Sequence, residues 1–119
     1  MTQAQALLLS LLIEVPAALA LCAWWGPGAH RGLRRVALTG LAATLLTHPF
    51  AWTLLPALHG HLPRWARWLL VEGGVAVIEG LLFARLAGLD LRRGQVVGWT
   101  ANALSFGVGL VIFWALRPA

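Results

Sequence analysis

Four long apolar stretches alternate with short polar breaks along the 119-residue chain, at about 4–25, 36–58, 64–87 and 96–116. Each is close to the ~20 residues that carry a helix across ~30 Å of hydrocarbon. Gly26, Pro27 and Gly28 interrupt the first run, His59, Gly60 and His61 the second, and Gly88 with Asp90 the third. The runs are continuously apolar, whereas the strands of a membrane barrel alternate apolar and polar residues. A helix satisfies its own backbone hydrogen bonds, as any segment in lipid must. The pattern predicts an all-α polytopic membrane protein: four transmembrane helices in an antiparallel bundle with short loops, one transmembrane domain over 1–119.

Composition agrees with the pattern. Hydrophobic residues make up 60% of the chain, charged residues 11%, and the mean hydropathy is +0.79. A soluble domain carries about 25% charged residues, and one this small could not hide so much apolar surface from water. A lipid bilayer solvates that surface directly and is the first expected partner.

The net charge is +5, and every basic side chain is Arg. The arginines sit between apolar runs, with no soluble scaffold to present a basic stripe, so nucleic acid is excluded as a partner. Arg31, Arg34, Arg35, Arg85, Arg92 and Arg93 flank the first and third breaks, against Arg64, Arg67 and Arg117 on the other side. The positive-inside rule then places loops one and three in the cytoplasm and both termini outside the cell (inner) membrane. Trp24, Trp25, Trp65, Trp68 and Trp114 fall near run ends, where an interfacial aromatic belt belongs. The single cysteine, Cys22, excludes an intrachain disulfide. Leu19-Ala20-Leu21 before it does not suit a lipoprotein cleavage site, and the first run lacks a basic leader, so it reads as a retained helix.

Small residues recur every four positions on the third run (Ala76, Gly80, Ala84) and the fourth (Ala101, Ser105, Gly109). That spacing lets helix backbones approach closely. There is also an internal echo: Leu12-Ile13-Glu14 resembles Val77-Ile78-Glu79, and 39–44 loosely resembles 100–105. It relates the first two helices to the last two, as in transporters built from repeats.

The candidate chemistry lies in polar residues set inside the apolar runs: Glu14, His48, Glu72, Glu79 and Asn102. An ionisable residue at membrane depth costs on the order of 3 kcal/mol on insertion scales. At ~1.5 Å per residue, Glu14 lies ~15–18 Å deep, with His48, Glu72 and Asn102 near the same level and Glu79 about two turns beyond Glu72. Glu72 and Glu79 are seven apart and share a helix face, as do Thr44 and His48, four apart. Turning these groups toward a common interior is the simplest packing. Pro16 and Pro49 free the carbonyls near Leu12 and Leu45, and such carbonyls are tolerated where they line a cavity. His30, His59 and His61 read as solvated loop residues; an outer vestibule formed by His59 and His61 near Arg64 is the lesser alternative.

Leu46-Thr47-His48-Pro49-Phe50, with Glu14 before it and Glu72, Glu79 and Asn102 after it, resembles a group of short bacterial four-helix integral membrane proteins. They carry an acidic residue in helix one, Thr-(Asn/His)-Pro in helix two, paired Glu in helix three and Asn in helix four. The resemblance implies that these positions act together and transfers no reaction.

Three functions fit these residues. Carboxylates and imidazole are the parts of a proton relay and also suit a divalent metal as cofactor or cargo, with Glu14, His48 and Glu72 as ligands. The leading expectation is therefore a protein, expected to be homo-oligomeric, that binds or transports protons or cations. Glu14, Glu72 and Glu79 would be its carriers or ligands, His48 a relay or ligand, and Asn102 would orient a carboxylate. The alternative is an accessory subunit docking onto a larger membrane complex through its polar face. The third is a metal-dependent intramembrane enzyme, the weaker reading, because neither Glu-x-x-His nor His-Glu-x-x-His occurs. Against all three stands a purely structural role, in which protonated Glu side chains bond Asn102, Ser10 or a freed carbonyl and merely hold the helices together.

Overall fold

A computed structural model describes residues 2–117, and these are all-helical. The four long helices are α1 (Gln3–Trp25), α2 (Leu33–Ala57), α3 (Arg64–Leu86) and α4 (Leu91–Ala115). At 23 to 25 residues each, they reach ~35 Å at ~1.5 Å per residue, enough to cross the hydrocarbon core.

Local chemistry sets the ends. Thr2 and Gln5 form a capping box: the Thr2 hydroxyl accepts from the Gln5 N–H at 3.1 Å, and the Gln5 side chain accepts from the Thr2 N–H at 3.0 Å. Gly26, at φ 90°, closes α1, and a 3-10 turn over Pro27–Ala29 leads to α2. Asp90 caps α4, accepting the Arg93 N–H at 2.7 Å. It opens the fourth helix rather than closing the third, so α4 begins at Leu91, five residues ahead of the apolar run, and α2 likewise begins at Leu33. Arg34, Arg35, Arg92 and Arg93 therefore lie in first helical turns.

Three helices are long and apolar enough to cross a membrane: α1, α2 and α4, whose best 18-residue stretches have mean hydropathies of 2.3, 1.2 and 1.7. α3 is as long but carries Arg64, Arg67, Glu72, Glu79 and Arg85. Its polarity is partly internal, since Glu79 is buried in the protein.

The helices form a ring: α1 packs on α2 and α4, and α3 packs on α2 and α4. The start of α2 meets the end of α3, where the Arg31 N–H donates to the Ala87 carbonyl at 2.9 Å and Arg35 Nε donates to the Leu86 carbonyl. At this end an apolar core gathers Ala18, Cys22, Val36, Phe83, Ala87, Leu89 and Val97. Large apolar side chains such as Trp24, Phe50, Leu69 and Val111 face outward.

The α3–α4 seam is the tightest. A Cβ on Gly98 would stand 2.5 Å from the Ala76 carbonyl oxygen and 2.6 Å from the Gly80 nitrogen, and one on Gly94 would stand 2.6 Å from the Gly80 oxygen. The small residues expected on the third helix are in this seam. On the fourth, Ala101 is buried as expected, together with Gly94 and Gly98, whereas Ser105 bonds α1 and a Cβ on Gly109 would meet nothing within 4 Å. Gly94 fell before the assumed start of the run, which moved the stripe about two turns too far along.

Candidate functional site

Away from that seam, toward the end where α1 and α3 begin and α2 and α4 finish, the ring encloses a cavity of about 550 Å³. All four helices contribute polar groups to its wall: Ser10 and Glu14 from α1, Thr44, Thr47 and His48 from α2, Arg67 and Glu72 from α3, Asn102 and Ser105 from α4.

Glu79 and Glu14 form the deepest part of the cluster. Glu79 is 2% exposed and Glu14 6%, and their carboxyls are within reach of a hydrogen bond when one carries a proton. Thr44 and Thr47 aim their hydroxyls at Glu79 Oε2, at 3.5 and 3.4 Å. Both threonines sit on the same side of α2, three residues apart. Thr47 also donates to the Ala43 carbonyl at 2.9 Å, which fixes its rotamer toward the interior.

Glu72 lines the cavity, as Glu14 does, whereas Glu79 lies behind its wall. Asn102 Nδ2 donates to its Oε2 at 3.1 Å and to its backbone carbonyl at 2.8 Å, so one amide holds both the side chain and the helix position of Glu72. The two Glu of α3 therefore serve different neighbours, Glu72 toward α4 and Glu79 toward α1 and α2. Ser105 donates to Ser10 Oγ at 3.1 Å and ties α4 to α1.

Several polar atoms in this region have no partner. Glu14 Oε1, Glu79 Oε1, His48 Nδ1 and Arg67 Nε are buried without a hydrogen bond. His48 stacks on Trp52 with ring centroids 6.0 Å apart, on the cavity wall, and makes no hydrogen bond to a carboxyl. Arg67 Nη1 reaches the Leu55 carbonyl at 3.5 Å. The ion pair between Arg93 and Asp90, 3.7 Å, is the only one among the described residues, so none of the three carboxyls has a cationic partner there. Neither Glu14 nor His48 bonds a carbonyl freed by Pro16 or Pro49.

The structure thus brings Glu14, Glu72, Glu79 and Asn102 into one cluster and leaves His48 at its edge. Among the described residues, no three His, Cys, Asp or Glu side chains are grouped so as to hold a metal ion, and Glu14, His48 and Glu72 do not make a ligand set. His59 and Arg64 line the mouth of the cavity, and His61 does not.

Two members were not singled out from the sequence. Thr47 was visible only as part of the Thr-His-Pro motif, although its spacing from Thr44 puts both on one face. Arg67 counted as a flanking charge, whereas it lies in the first turn of α3 and lines the cavity. No protein-family model, no curated protein and no solved structure matches the chain.

Proposed function

We propose that the protein crosses a membrane as an antiparallel four-helix bundle and takes up protons or simple cations at the carboxyl cluster. The observation that carries this reading is the burial of Glu14 and Glu79 against each other, beside Glu72, with no cationic side chain to neutralise them. A carboxyl withdrawn from water must be paired, protonated or ligated, because an isolated buried charge is very costly. The hydroxyls of Thr44 and Thr47 and the amide of Asn102 hold the carboxyl oxygens in place and leave Oε1 of Glu14 and Glu79 free to receive the proton or ion.

The bilayer reading rests on the three long apolar helices and the outward-facing apolar side chains. The arginine-rich end, with Arg31, Arg34, Arg35, Arg85, Arg92 and Arg93, is assigned to the cytoplasm. The cavity then opens outward, and the apolar core closes the cytoplasmic half. Uptake from the outside follows directly, and passage requires the α3–α4 seam or the core beside it to part.

The test is reconstitution into liposomes containing a pH-sensitive dye, combined with calorimetric titration of Na⁺, K⁺, Mg²⁺ and Zn²⁺ into purified protein. Proton or cation uptake that Glu14→Gln and Glu79→Gln abolish is the expected result. Absence of both uptake and binding, with the variants indistinguishable from the parent, overturns the reading.

A further inference from the structure

The cavity has basic side chains toward one end and acidic ones toward the other. Arg64 and Arg67, with His59, stand at the mouth, and Glu14 and Glu72 stand toward the floor. Opposite charges sharing one cavity ordinarily close onto each other, since an unpaired charge away from water is penalised. Here Arg67 forms no ion pair with any described carboxylate. Its Nε is buried without a partner, and its one hydrogen bond, to the Leu55 carbonyl, is long at 3.5 Å. Glu14, 94% withdrawn from solvent by its 6% exposure, also lines the cavity with Oε1 unpartnered. A basic and an acidic side chain, each with one buried atom left unpartnered, thus line the same cavity of about 550 Å³, a size within the ~300–1,000 Å³ range of small-molecule sites.

We infer that the cavity binds a zwitterion: an ammonium group at Glu14 and Glu72, and a carboxylate or phosphate at Arg67. This deepens the proton or cation reading above and rests on it, by assigning the ligand an ammonium head and an acidic tail. Arg67 precedes Glu72 by five residues, ~7–8 Å along the helix at ~1.5 Å per residue, so the two charges of the ligand stand well apart. Asn102 fixes the Glu72 carboxyl on its far side through Oε2, leaving Oε1 for an ammonium donor. The guanidinium of Arg67 offers planar paired donors, which suit carboxylate and phosphate alike. Such a ligand comes either from solution, as an amino acid-like molecule, or from the bilayer, as a phosphoethanolamine headgroup.

The probe is 6-aminohexanoate, with hexylamine and hexanoate as single-charge controls, titrated into the full chain in phosphatidylglycerol nanodiscs. Trp52 and Trp68 line the cavity and report binding by fluorescence. The zwitterion is expected to bind about tenfold tighter than either control, the gain that one hydrogen bond to a charged group supplies. Arg67→Gln should erase its advantage over hexylamine, Arg67→Lys should keep most of it, and Glu72→Gln should erase its advantage over hexanoate. Adding phosphatidylethanolamine to the nanodiscs separates the two sources: competition with 6-aminohexanoate assigns a headgroup, and no competition assigns a soluble ligand. A zwitterion bound no better than hexylamine, or an Arg67→Gln protein that keeps the preference, overturns the inference. In that event hexylamine binding that remains sensitive to Glu72→Gln leaves the cation reading standing. Loss of all amine binding together with the absence of proton uptake removes the cation reading as well.

Discussion

In the first half of α4, Gly94 and Gly98 lie so close to α3 that an added Cβ would fall within 2.6 Å of backbone atoms, whereas Gly107 and Gly109 in its second half would meet nothing within 4 Å. The same residue type, on the same helix, serves two purposes. Near the arginine-rich end glycine removes side-chain volume so that two backbones touch and gain van der Waals contact. Near the other end helix contact gives way to a cavity whose wall carries every one of the buried carboxyl-binding groups. One half of the ring is fixed by packing, and the polar half is left with room to be wet or filled.

The largest effect should come from breaking the packed half. Gly98→Leu places branched carbon where the Ala76 carbonyl and the Gly80 backbone already stand, and it should prevent a stable fold. Gly98→Ala should cost about 1–3 kcal/mol, the usual range for an overpacked contact. Gly109→Ala, in open space, should cost nothing and gain up to ~0.5–1 kcal/mol, because glycine is the weaker helix former. Thermal unfolding in detergent followed by circular dichroism ranks the three. Equal losses for Gly98→Ala and Gly109→Ala would erase the distinction between the halves.

A smaller effect is expected where the halves meet. Thr47→Val preserves shape but removes the hydroxyl that faces Glu79 at 3.4 Å and the Ala43 carbonyl at 2.9 Å. The Ala43 carbonyl keeps its helical role, so the loss in stability should be about 1 kcal/mol. Proton or cation uptake should weaken by several-fold, because Glu79 loses one of the two hydroxyls that orient it. A variant with uptake unchanged and stability reduced would make Thr47 a helix-packing residue only.

The four helices were legible because periodicity was not needed to see them: apolar runs of about twenty residues, ended by Gly26, Gly60 and Gly88, are too long and too continuous for strands. Helix starts were less legible. Arg34, Arg35, Arg92 and Arg93 look like loop on hydropathy, yet they are first-turn residues, because caps and backbone bonds rather than apolarity decide where a helix begins. That error hid Gly94 and with it the true seam. In the site, the cost of placing a carboxyl in hydrocarbon marked Glu14, Glu72 and Glu79, and the structure groups them. The echo between Leu12-Ile13-Glu14 and Val77-Ile78-Glu79 acquires a physical meaning, since those two carboxyls come to face each other. His48 was placed by its depth with the rest, and it does line the cavity beside them, with its ring stacked on Trp52. Arg67 was missed because a charge near a run end looks interfacial whether it faces lipid headgroups or a cavity.

The smallest effect is also the most telling about the polar half. Ser105 donates to Ser10 at 3.1 Å and joins α4 to α1 on the cavity wall. If the cavity holds water, each hydroxyl lost to Ser105→Ala or Ser10→Ala is replaced by a bridging molecule at almost no cost. Each substitution, and the pair together, should then change stability by less than ~0.5 kcal/mol. In a sealed, dry interior the single variants would each strand one hydroxyl and cost about 1–3 kcal/mol, while the double variant would recover much of that loss. Unfolding of the two single variants and the double variant therefore reads the wetness of the cavity without any ligand. Near-zero values in all three keep the polar half open, and a large coupling between the serines would make it as closed as the glycine seam.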